Sequence, residues 1–410
     1  MDRPTTRLPR AYWRLFAASG VSNVGDGVLV AALPLLAARI TDSEFSVGLV
    51  SAFFTVPWLL LSLPAGALID RSDPRRVMLL TDTYRAVLVG ALAVVAAVSD
   101  LHVWMLWALA LGLGVGEVFF DSASQAIVPA VVDASGLERA NGWRYSAELV
   151  GNTFLGLPVG SVLFAVAVWL PFGLDAVSFV VAALLVATLP RRLRSTTPSP
   201  TGSLGSEIRD GVRWLRGHGM LRDLALALAV TNLAFALIES TLVLYLTREI
   251  GLDERYFGAV VAIMGAGGVV AGVLSGRVVD ALGRRWTIVL VSALPVATMA
   301  ALAGADRPWE VVALATLQAM LTTVWSVVAV SLRQQLVPDE YFGRVNGVYR
   351  WLSWGAMPIG AALGGALAQG AGLRSPYVVG AWLLAAAAVF VIARVAPFVP
   401  ERTPAAHTSA

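Results

Sequence analysis

The sequence lacks cysteine and lysine and has only three histidines among its 410 residues. Without cysteine, disulfides, thiolate catalysis and cysteine metal sites are excluded. Without lysine, a Walker-type nucleotide loop is excluded, although glycine-rich stretches such as 265–268 occur. The histidines at positions 102, 218 and 407 lie at the edges of, or outside, the apolar segments described below. Any proton carried through the middle of those segments must therefore be held by a carboxylate.

Charged residues are also scarce, at 14%, whereas hydrophobic residues make up 57% of the chain. Soluble domains contain about 25% charged residues. A soluble protein this apolar could not cover its surface with polar groups, so soluble, disordered and coiled-coil classes are excluded. The net charge of +3 is carried by arginines in short connectors, which is typical of membrane orientation signals and does not indicate a nucleic-acid partner.

Twelve apolar segments of about 20 residues, the length that crosses a bilayer, can be placed along the chain. They cover about residues 12–38, 46–68, 77–98, 101–130, 142–169, 172–189, 221–247, 256–279, 286–304, 309–332, 345–370 and 376–396. The sequence therefore predicts an all-α membrane protein with twelve transmembrane helices. No metal-ligand cluster and no nucleophile–base pair stands out in these segments, so an enzyme is not expected.

Most arginines fall on one side of this arrangement. Only five lie in the loops of the opposite side, namely Arg39, Arg248, Arg255, Arg307 and Arg374. Because cytoplasmic loops are enriched in arginine, both termini and the connector 190–220 are predicted to be cytoplasmic. The expected location is the cytoplasmic (inner) membrane of a bacterium.

The connector divides the chain into 1–189, 190–220, 221–396 and a tail, 397–410, predicted to be disordered. Its first part is rich in Ser, Thr, Pro and Gly, as flexible linkers are. Its second part, 207–216, places Ile208, Val212 and Leu215 on one face and arginines on the other. This pattern predicts an amphipathic helix at the membrane interface, with a solvated basic loop as the alternative.

The two long parts of the chain repeat each other in sequence. The loop Gly66 to Arg76 recurs as Gly276 to Arg285, about 210 residues later. Further matches follow in the same order: Gln125–Pro129 with Gln334–Pro338, Asn141-Gly142 with Asn346-Gly347, and Asn23 with Asn232. Ordered matches of this kind predict two six-helix halves in the same orientation, with a substrate site between them.

These loops, with the pattern Gly-x-x-x-Asp followed by paired arginines, resemble the signature of the major facilitator superfamily. The stretches 119–123, 137–142, 175–179 and 208–214 resemble its drug:proton antiporter branch, which includes macrolide-efflux and enterobactin-exporter-like proteins. The resemblance implies two pseudo-symmetric bundles and export of a small amphipathic molecule such as a drug, antibiotic or siderophore. The proton gradient would drive export by alternating access, without a cofactor. A monomer in the lipid bilayer is expected.

Ionisable side chains within the predicted spans are the candidates for the transport chemistry, because burying a charge in a bilayer is costly. The candidates for proton coupling or substrate binding are Asp26, Glu117, Asp121, Glu148 and Glu239. Asp26 and Glu117 lie nearest the middle of their spans, and the alternative for both is a fixed ion pair. Asp82 and Arg85 are expected to form a structural pair on one helix, and Asp175 is expected to meet water near the outer face.

The repeated loops are predicted to form a cytoplasmic gate. The candidate residues are Gly66, Asp70, Arg71, Arg75, Arg76, Gly276, Asp280, Arg284 and Arg285, together with Asn141 and Asn346 at the starts of spans 5 and 11. A carboxylate is stabilised at a helix N-terminus. By the pseudo-symmetry, Asp70 would meet the start of span 11 and Asp280 the start of span 5 when the outside is open.

Two alternatives to export remain open at this point. One is an importer or lipid-handling facilitator of the same fold. The other is a membrane receptor that binds a ligand without transporting it. Repeated gate loops together with buried carboxylates favour a transporter, because a receptor needs neither.

Overall fold

The computed structural model of the protein describes residues 8–69, 72–132, 137–190 and 204–399. Within these ranges the chain is almost entirely helical and contains no strand. Helices are expected because a backbone in lipid must satisfy its hydrogen bonds internally. The α-helices are α1 (Arg10–Ile40), α2 (Glu44–Ile69), α3 (Pro74–Val98), α4 (Val103–Val131), α5 (Leu137–Glu148), α6 (Leu157–Val166), α7 (Trp169–Ala187), α8 (Leu204–Gly217), α9 (Gly219–Glu239), α10 (Leu242–Leu244), α11 (Phe257–Leu282), α12 (Arg284–Ala303), α13 (Pro308–Leu336), α14 (Asp339–Gly355), α15 (Met357–Ala371) and α16 (Ser375–Arg394). The all-α prediction is confirmed.

Eleven of the described helical stretches are long and apolar enough to cross a membrane. The broken pair α14 and α15 occupies the place of the span predicted at 345–370, which is consistent with twelve spans. The pair is interrupted at Ala356, where Pro358 at the start of α15 has no N–H to continue the hydrogen-bond ladder. The span predicted at 142–169 is also not one α-helix, because a π-helix over Leu149–Gly156 joins α5 to α6, which likewise begins with a proline, Pro158.

Helices α1–α7 form one half of the molecule and α9–α16 form the other, and corresponding helices pack alike. In the first half α3 packs against α4 and α7, and α2 packs against α4. In the second half α12 packs against α13 and α16, and α11 packs against α13. Between the halves, α2 packs against α15 and α6 packs against α11. The predicted repeat therefore corresponds to two pseudo-symmetric bundles.

The halves are joined tightly at one end of the bundle, which we call the closed end (residues 38–48, 161–166, 247–258 and 361–375). An ion pair joins Arg39 to Glu254 at 2.6 Å, and Arg248 donates to the Thr41 carbonyl at 2.9 Å. Ser43 donates to Gln369 at 2.9 Å. Each contact links one half to the other, and a surface depression of about 620 Å³, lined by Arg39, Arg248 and Arg255 among others, lies beside them.

Glycines let the backbones of the two halves approach at the closed end. A Cβ atom on Gly365 would lie 2.9 Å from the Glu44 carbonyl and 3.0 Å from the Cα of Phe45. A Cβ on Gly48 would lie 2.8 Å from the Cα of Gly365. Only glycine fits at such backbone-to-backbone contacts, which are typical of close helix packing in membranes.

A hydrogen-bonded cluster of charges within the second half also lies at the closed end. Arg374 donates to Glu249 at 2.7 Å and to Asp306 at 2.6 Å. These hydrogen bonds raise the pKa of Arg374, which lies just before α16. The loops of this end are thereby tied to one another as well as across the two halves.

The opposite end, which we call the open end, holds α5, α8 and the loop between α11 and α12. Asn141, Trp143 and Tyr145 on α5 are exposed, as is Asp280 on α11. At mid-height the halves still meet, where Trp58 stacks on Trp354 with ring centroids 4.7 Å apart. The exposed residues of α5 and α11 here, compared with the contacts between the halves at the closed end, indicate that the described parts of the two halves separate toward the open end.

Helix α8 covers the second part of the connector and lies against the protein. Leu215 is buried and packs with Leu221, Val345 and Tyr349 of α9 and α14. Trp214 stacks on Tyr341 of α14 at 5.8 Å. The expectation that this apolar face meets the membrane interface is wrong for Leu215, because α9 and α14 already cover it.

Candidate functional site

The centre of the first half contains a cluster of carboxylates around one guanidinium. Arg85 on α3 lies 2.8 Å from Asp82, one turn earlier on the same helix, and 2.9 Å from Glu117 on α4. Asp26 on α1 lies 3.6 Å from Arg85 and accepts a hydrogen bond from Ser22 at 3.3 Å. The expected structural pair and the two main proton-coupling candidates are thus one cluster, which we call the Arg85 cluster (Asp26, Asp82, Arg85, Glu117 and Asp175).

Two aromatic rings hold the guanidinium in place. Its central carbon lies 4.4 Å from the ring centre of Phe120 and 4.3 Å from that of Phe179. Arg85 is 1% exposed and is the largest fully buried side chain among the described residues. A planar cation stacked between rings gains cation–π attraction that partly offsets its desolvation. Sequence inspection found Phe120 and Phe179 only as members of the family-like stretches 119–123 and 175–179, and it assigned no role to their rings.

Asp175 on α7 belongs to this cluster, contrary to the expectation that it meets water near the outer face. The residue is 0% exposed, and its Oδ1 accepts a hydrogen bond from Ser178 at 3.1 Å. It reaches the backbone of α1 because residue 25 is glycine, and a Cβ there would collide with Ser178 and Asp175. Gly25 precedes Asp26, so the carboxylates of α1 and α7 lie at the same level of the bundle.

The cluster holds four carboxylates and one guanidinium. A low-dielectric interior strongly disfavours such an excess of one charge. The excess is relieved when the cluster binds protons or another cation. The Asp26 and Glu117 side chains are 21% and 34% exposed, whereas Asp82 and Asp175 are 0% exposed. Asp26 and Glu117 are therefore the members of the cluster that solvent can reach.

The other acidic candidates lie apart from this cluster or at its margin. Asp121 lies one turn after Glu117 on α4 and accepts a hydrogen bond from Gln125 at 2.8 Å. Glu148 is exposed at the end of α5. Glu239 lies at the end of α9 in the other half, so the structure does not bring it together with Asp26 and Glu117.

Some residues of the predicted gate motif form hydrogen bonds within their own half, and others are exposed to solvent. Arg75 donates to the Ala187 carbonyl at the end of α7, at 2.6 Å, where a cation is favoured by the helix dipole. Arg284 donates to Gln335 of α13 at 2.8 Å. Arg76, Arg285, Gly276 and Asn141 are exposed and Asn346 is half-buried. Gly66 lies in the last turn of α2. Asp70 and Arg71 lie outside the described residues.

The contact predicted for Asp280 is not formed in this conformation. Asp280 is exposed at the end of α11 and has no ion pair or hydrogen bond with any part of the chain that the structure describes. The predicted partner, the start of α5, lies across the open end. The contact was predicted for the state in which the outside is open and this end is closed. The present conformation therefore does not test it, and the role of Asp280 stays a prediction.

A second feature lies in the other half, in a cavity of about 530 Å³ between α9, α11, α12, α13 and α16. Its wall is mostly apolar, with Phe235, Met264 and Met299 among its residues. Glu239 is the one charged side chain among the described residues of this wall. Gln318 and Tyr377, which sequence inspection missed, add polar atoms to it. We call this space the Glu239 cavity.

No group of three or more His, Asp or Glu side chains in the described part of the chain is arranged to hold a metal ion.

Comparisons with known proteins agree with this arrangement. Residues 8–408 match the family described as transmembrane secretion effector. The multidrug efflux pump Tap of Mycolicibacterium fortuitum is 27% identical over 388 residues, covering 89% of this chain and 90% of that protein. Macrolide efflux protein A of Streptococcus pyogenes is 24% identical over 409 residues, covering 95% and 96%.

Among solved structures, a bacterial homologue of the iron transporter ferroportin in an inward-facing state has the same fold. Its TM-score is 0.73 at 19% sequence identity, with 95% of this chain and 99% of that chain covered. The outward-facing state of that homologue superposes less well, with a TM-score of 0.61. The match over almost the whole length, together with the two pseudo-symmetric bundles, leads to one conclusion. The chain belongs to the transmembrane secretion effector family of the major facilitator superfamily, and it is a multi-pass membrane transporter of a small molecule and not an enzyme.

Proposed function

We propose that the protein exports a small amphipathic compound in exchange for protons by alternating access. The Arg85 cluster carries this proposal: it holds more carboxylates than cations, and Asp26 and Glu117 reach the opening between the halves. The relatives named as efflux pumps support export as the direction.

The arginine asymmetry assigns the sides of the membrane in this proposal. Arg39, Arg248, Arg255, Arg307 and Arg374 all lie at or near the closed end. The closed end is then the outer face, and the open end, with both termini and the connector 190–220, is cytoplasmic. In this proposal the protein lies in the bacterial cytoplasmic membrane in an inward-open state, with 1–189 and 221–396 as its two halves.

The proton cycle follows from the charge excess. In the inward-open state a compound enters from the cytoplasmic side, while Asp26 and Glu117 release protons to the same opening. After the halves rock to the outward-open state, protons from outside neutralise the carboxylates again and the compound leaves. The return state change then carries the cluster protonated, with its charge excess relieved, whereas in the outward state change the ionised carboxylates are balanced by Arg85 and by the charge of a cationic compound.

The double variant Asp26→Asn/Glu117→Gln tests the proposal. An amide keeps the shape of a protonated carboxyl but cannot release a proton, so gradient-driven exchange is expected to stop. Everted vesicles from cells expressing the parent should lose part of an imposed pH gradient when a transported compound from a panel of erythromycin, tetracycline and ethidium is added. Vesicles with the double variant should keep the gradient. Asp100→Asn, an exposed loop residue, is the matched control and should behave as the parent.

Full exchange by the double variant would refute the proton assignment. Absence of any compound-dependent loss of the gradient with the parent, across a panel that expressing cells tolerate better than control cells, would refute proton antiport.

A further inference from the structure

The Glu239 cavity has the properties of a ligand site, and the proton cycle does not use it. Its volume of about 530 Å³ lies within the range of small-molecule sites, which is about 300–1,000 Å³. Phe235, Met264 and Met299 supply an apolar wall of adaptable shape. None of the Arg85 cluster residues lines it.

Glu239 is available for a ligand. Its side chain is exposed to the cavity, and it has no ion pair or hydrogen bond with any residue in the described ranges. The carboxylates of the Arg85 cluster differ, because three of them lie within 4 Å of the guanidinium. A lone carboxylate in an apolar wall attracts a cation more strongly than a paired one does.

Two buried polar atoms in the same wall also lack partners. Gln318 is 5% exposed, and one end of its amide bonds to Thr298 while its Nε2 has no partner in the described chain. The Tyr377 hydroxyl is likewise buried without a hydrogen-bond partner there. Buried polar atoms are nearly always hydrogen-bonded, so these two are groups that a water or a bound ligand in the cavity would satisfy.

We propose that the Glu239 cavity binds a lipophilic organic monocation, whose charge pairs with Glu239 and whose polar substituents bond to Gln318 and Tyr377. This rests on the proposed function and names its substrate site: recognition lies in the second half and proton coupling in the first. Tyr145 of α5 is the cavity residue contributed by the first half, so rocking of the halves changes the mouth of the site.

Equilibrium binding of two ions of the same shape and opposite charge tests this site. The probes are tetraphenylphosphonium and tetraphenylborate, measured separately with the full-length protein in detergent without a gradient. Glu239→Gln is expected to weaken phosphonium binding by about tenfold or more, the effect of removing one close charge partner. Borate binding should become stronger, which also shows that the variant is folded. Glu239→Asp should keep most of the phosphonium affinity, and the exposed-loop control Asp100→Asn should keep all of it.

The polar contacts need a probe with hydrogen-bonding groups. Gln318→Leu is expected to weaken binding of ethidium, which carries two aromatic amines, and to leave tetraphenylphosphonium binding within twofold of the parent. Equal losses for both probes would show that Gln318 shapes the wall without bonding to the ligand, and would overturn its assigned role.

Phosphonium affinity of Glu239→Gln within twofold of the parent, or no phosphonium binding by the parent, would overturn the site. Asp26→Asn/Glu117→Gln should bind phosphonium as the parent does, and a tenfold loss there would overturn the separation of the two sites. If binding depends on Glu239 while vesicles show no gradient-driven exchange, proton antiport fails and the site stands.

Discussion

Arg85 occupies a position that a lysine cannot fill equally well. Its guanidinium bonds to Asp82 and Glu117 with separate nitrogens while stacking between Phe120 and Phe179. An ammonium group is a compact, strongly hydrated charge without a flat face to stack. The arginine therefore fits this position by its geometry as well as by its charge.

Arg85→Lys is expected to lower the free energy of unfolding by about 2 kcal/mol, the worth of a lost hydrogen bond between charged groups. The measurement is thermal unfolding in detergent together with exchange in vesicles, which should also fall. Arg213→Lys, whose side chain is 73% exposed, is the control and should melt as the parent. Parent-like melting and exchange by Arg85→Lys would show that a point charge is sufficient at this position.

At the scale of single elements, α8 is held by the protein on one side and faces outward with its arginines on the other. Arg209, Arg213 and Arg216 are exposed, whereas Leu215 is 5% exposed against α9 and α14. The helical part of the connector, α8, is therefore attached to the second half. Movement of α14 during the cycle is expected to carry α8 with it.

Leu215→Ala should release α8 from this surface. Deleting a buried leucine side chain costs roughly 2–5 kcal/mol in a well-packed site. Amide hydrogen exchange over 204–217 is expected to become faster while exchange in α1–α7 is unchanged. Arg216→Ala removes an exposed side chain of the same helix and should leave exchange as in the parent. Unchanged protection of α8 in Leu215→Ala would mean that its backbone is held by other contacts.

At the scale of the whole molecule, the conformational state depends on the end of the bundle at which the two halves are in contact. The closed end is joined by Arg39–Glu254 and by the Gly48–Gly365 approach. At the open end Asp280 and Asn141 are exposed, and Asp280 has no ion pair or hydrogen bond with the described residues. Alternating access then requires that contacts at one end are exchanged for contacts at the other, with a small free-energy difference between the states.

Gly365→Ala should shift this balance toward the outward-open state. The added methyl meets backbone atoms of α2, and overpacking of this kind costs about 1–3 kcal/mol, enough to change a balanced population several-fold or more. Because the parent has no cysteine, spin labels can be placed at Ser146→Cys and Leu282→Cys across the open end. Their distance is expected to shorten in Gly365→Ala and to stay as in the parent in Gly370→Ala, where a Cβ meets nothing within 4 Å.

The same pair of labels tests the predicted gate. Asp280→Asn removes the charge that would meet the start of α5 in the outward-open state, so it should keep the distance long even when Gly365→Ala is also present. A distance distribution in Asp280→Asn/Gly365→Ala identical to that of Gly365→Ala alone would refute a latch role for Asp280.

Composition and spacing were sufficient to predict the fold class, the helices and the repeat. Lipid imposes this, because any apolar run of about 20 residues must close its own backbone hydrogen bonds as a helix. The matching loops at Gly66 and Gly276 then imply two similar halves. The π-helix before Pro158 and the break before Pro358 were not predicted, since a proline in an apolar run does not by itself say whether the helix bends, breaks or widens.

The site was decided by the tertiary structure. The sequence identified Asp26, Glu117 and the pair Asp82–Arg85 as separate features, and it assigned Asp175 to the outer face. Their grouping depends on how four helices are rotated about their axes, which is set by packing such as the glycine contact at Gly25. The Glu239 cavity depends on the same rotations, because Gln318 and Tyr377 are distant in sequence and lack partners only in the packed bundle. A one-dimensional pattern shows which residues are costly to bury, and three-dimensional packing decides which of them share a site.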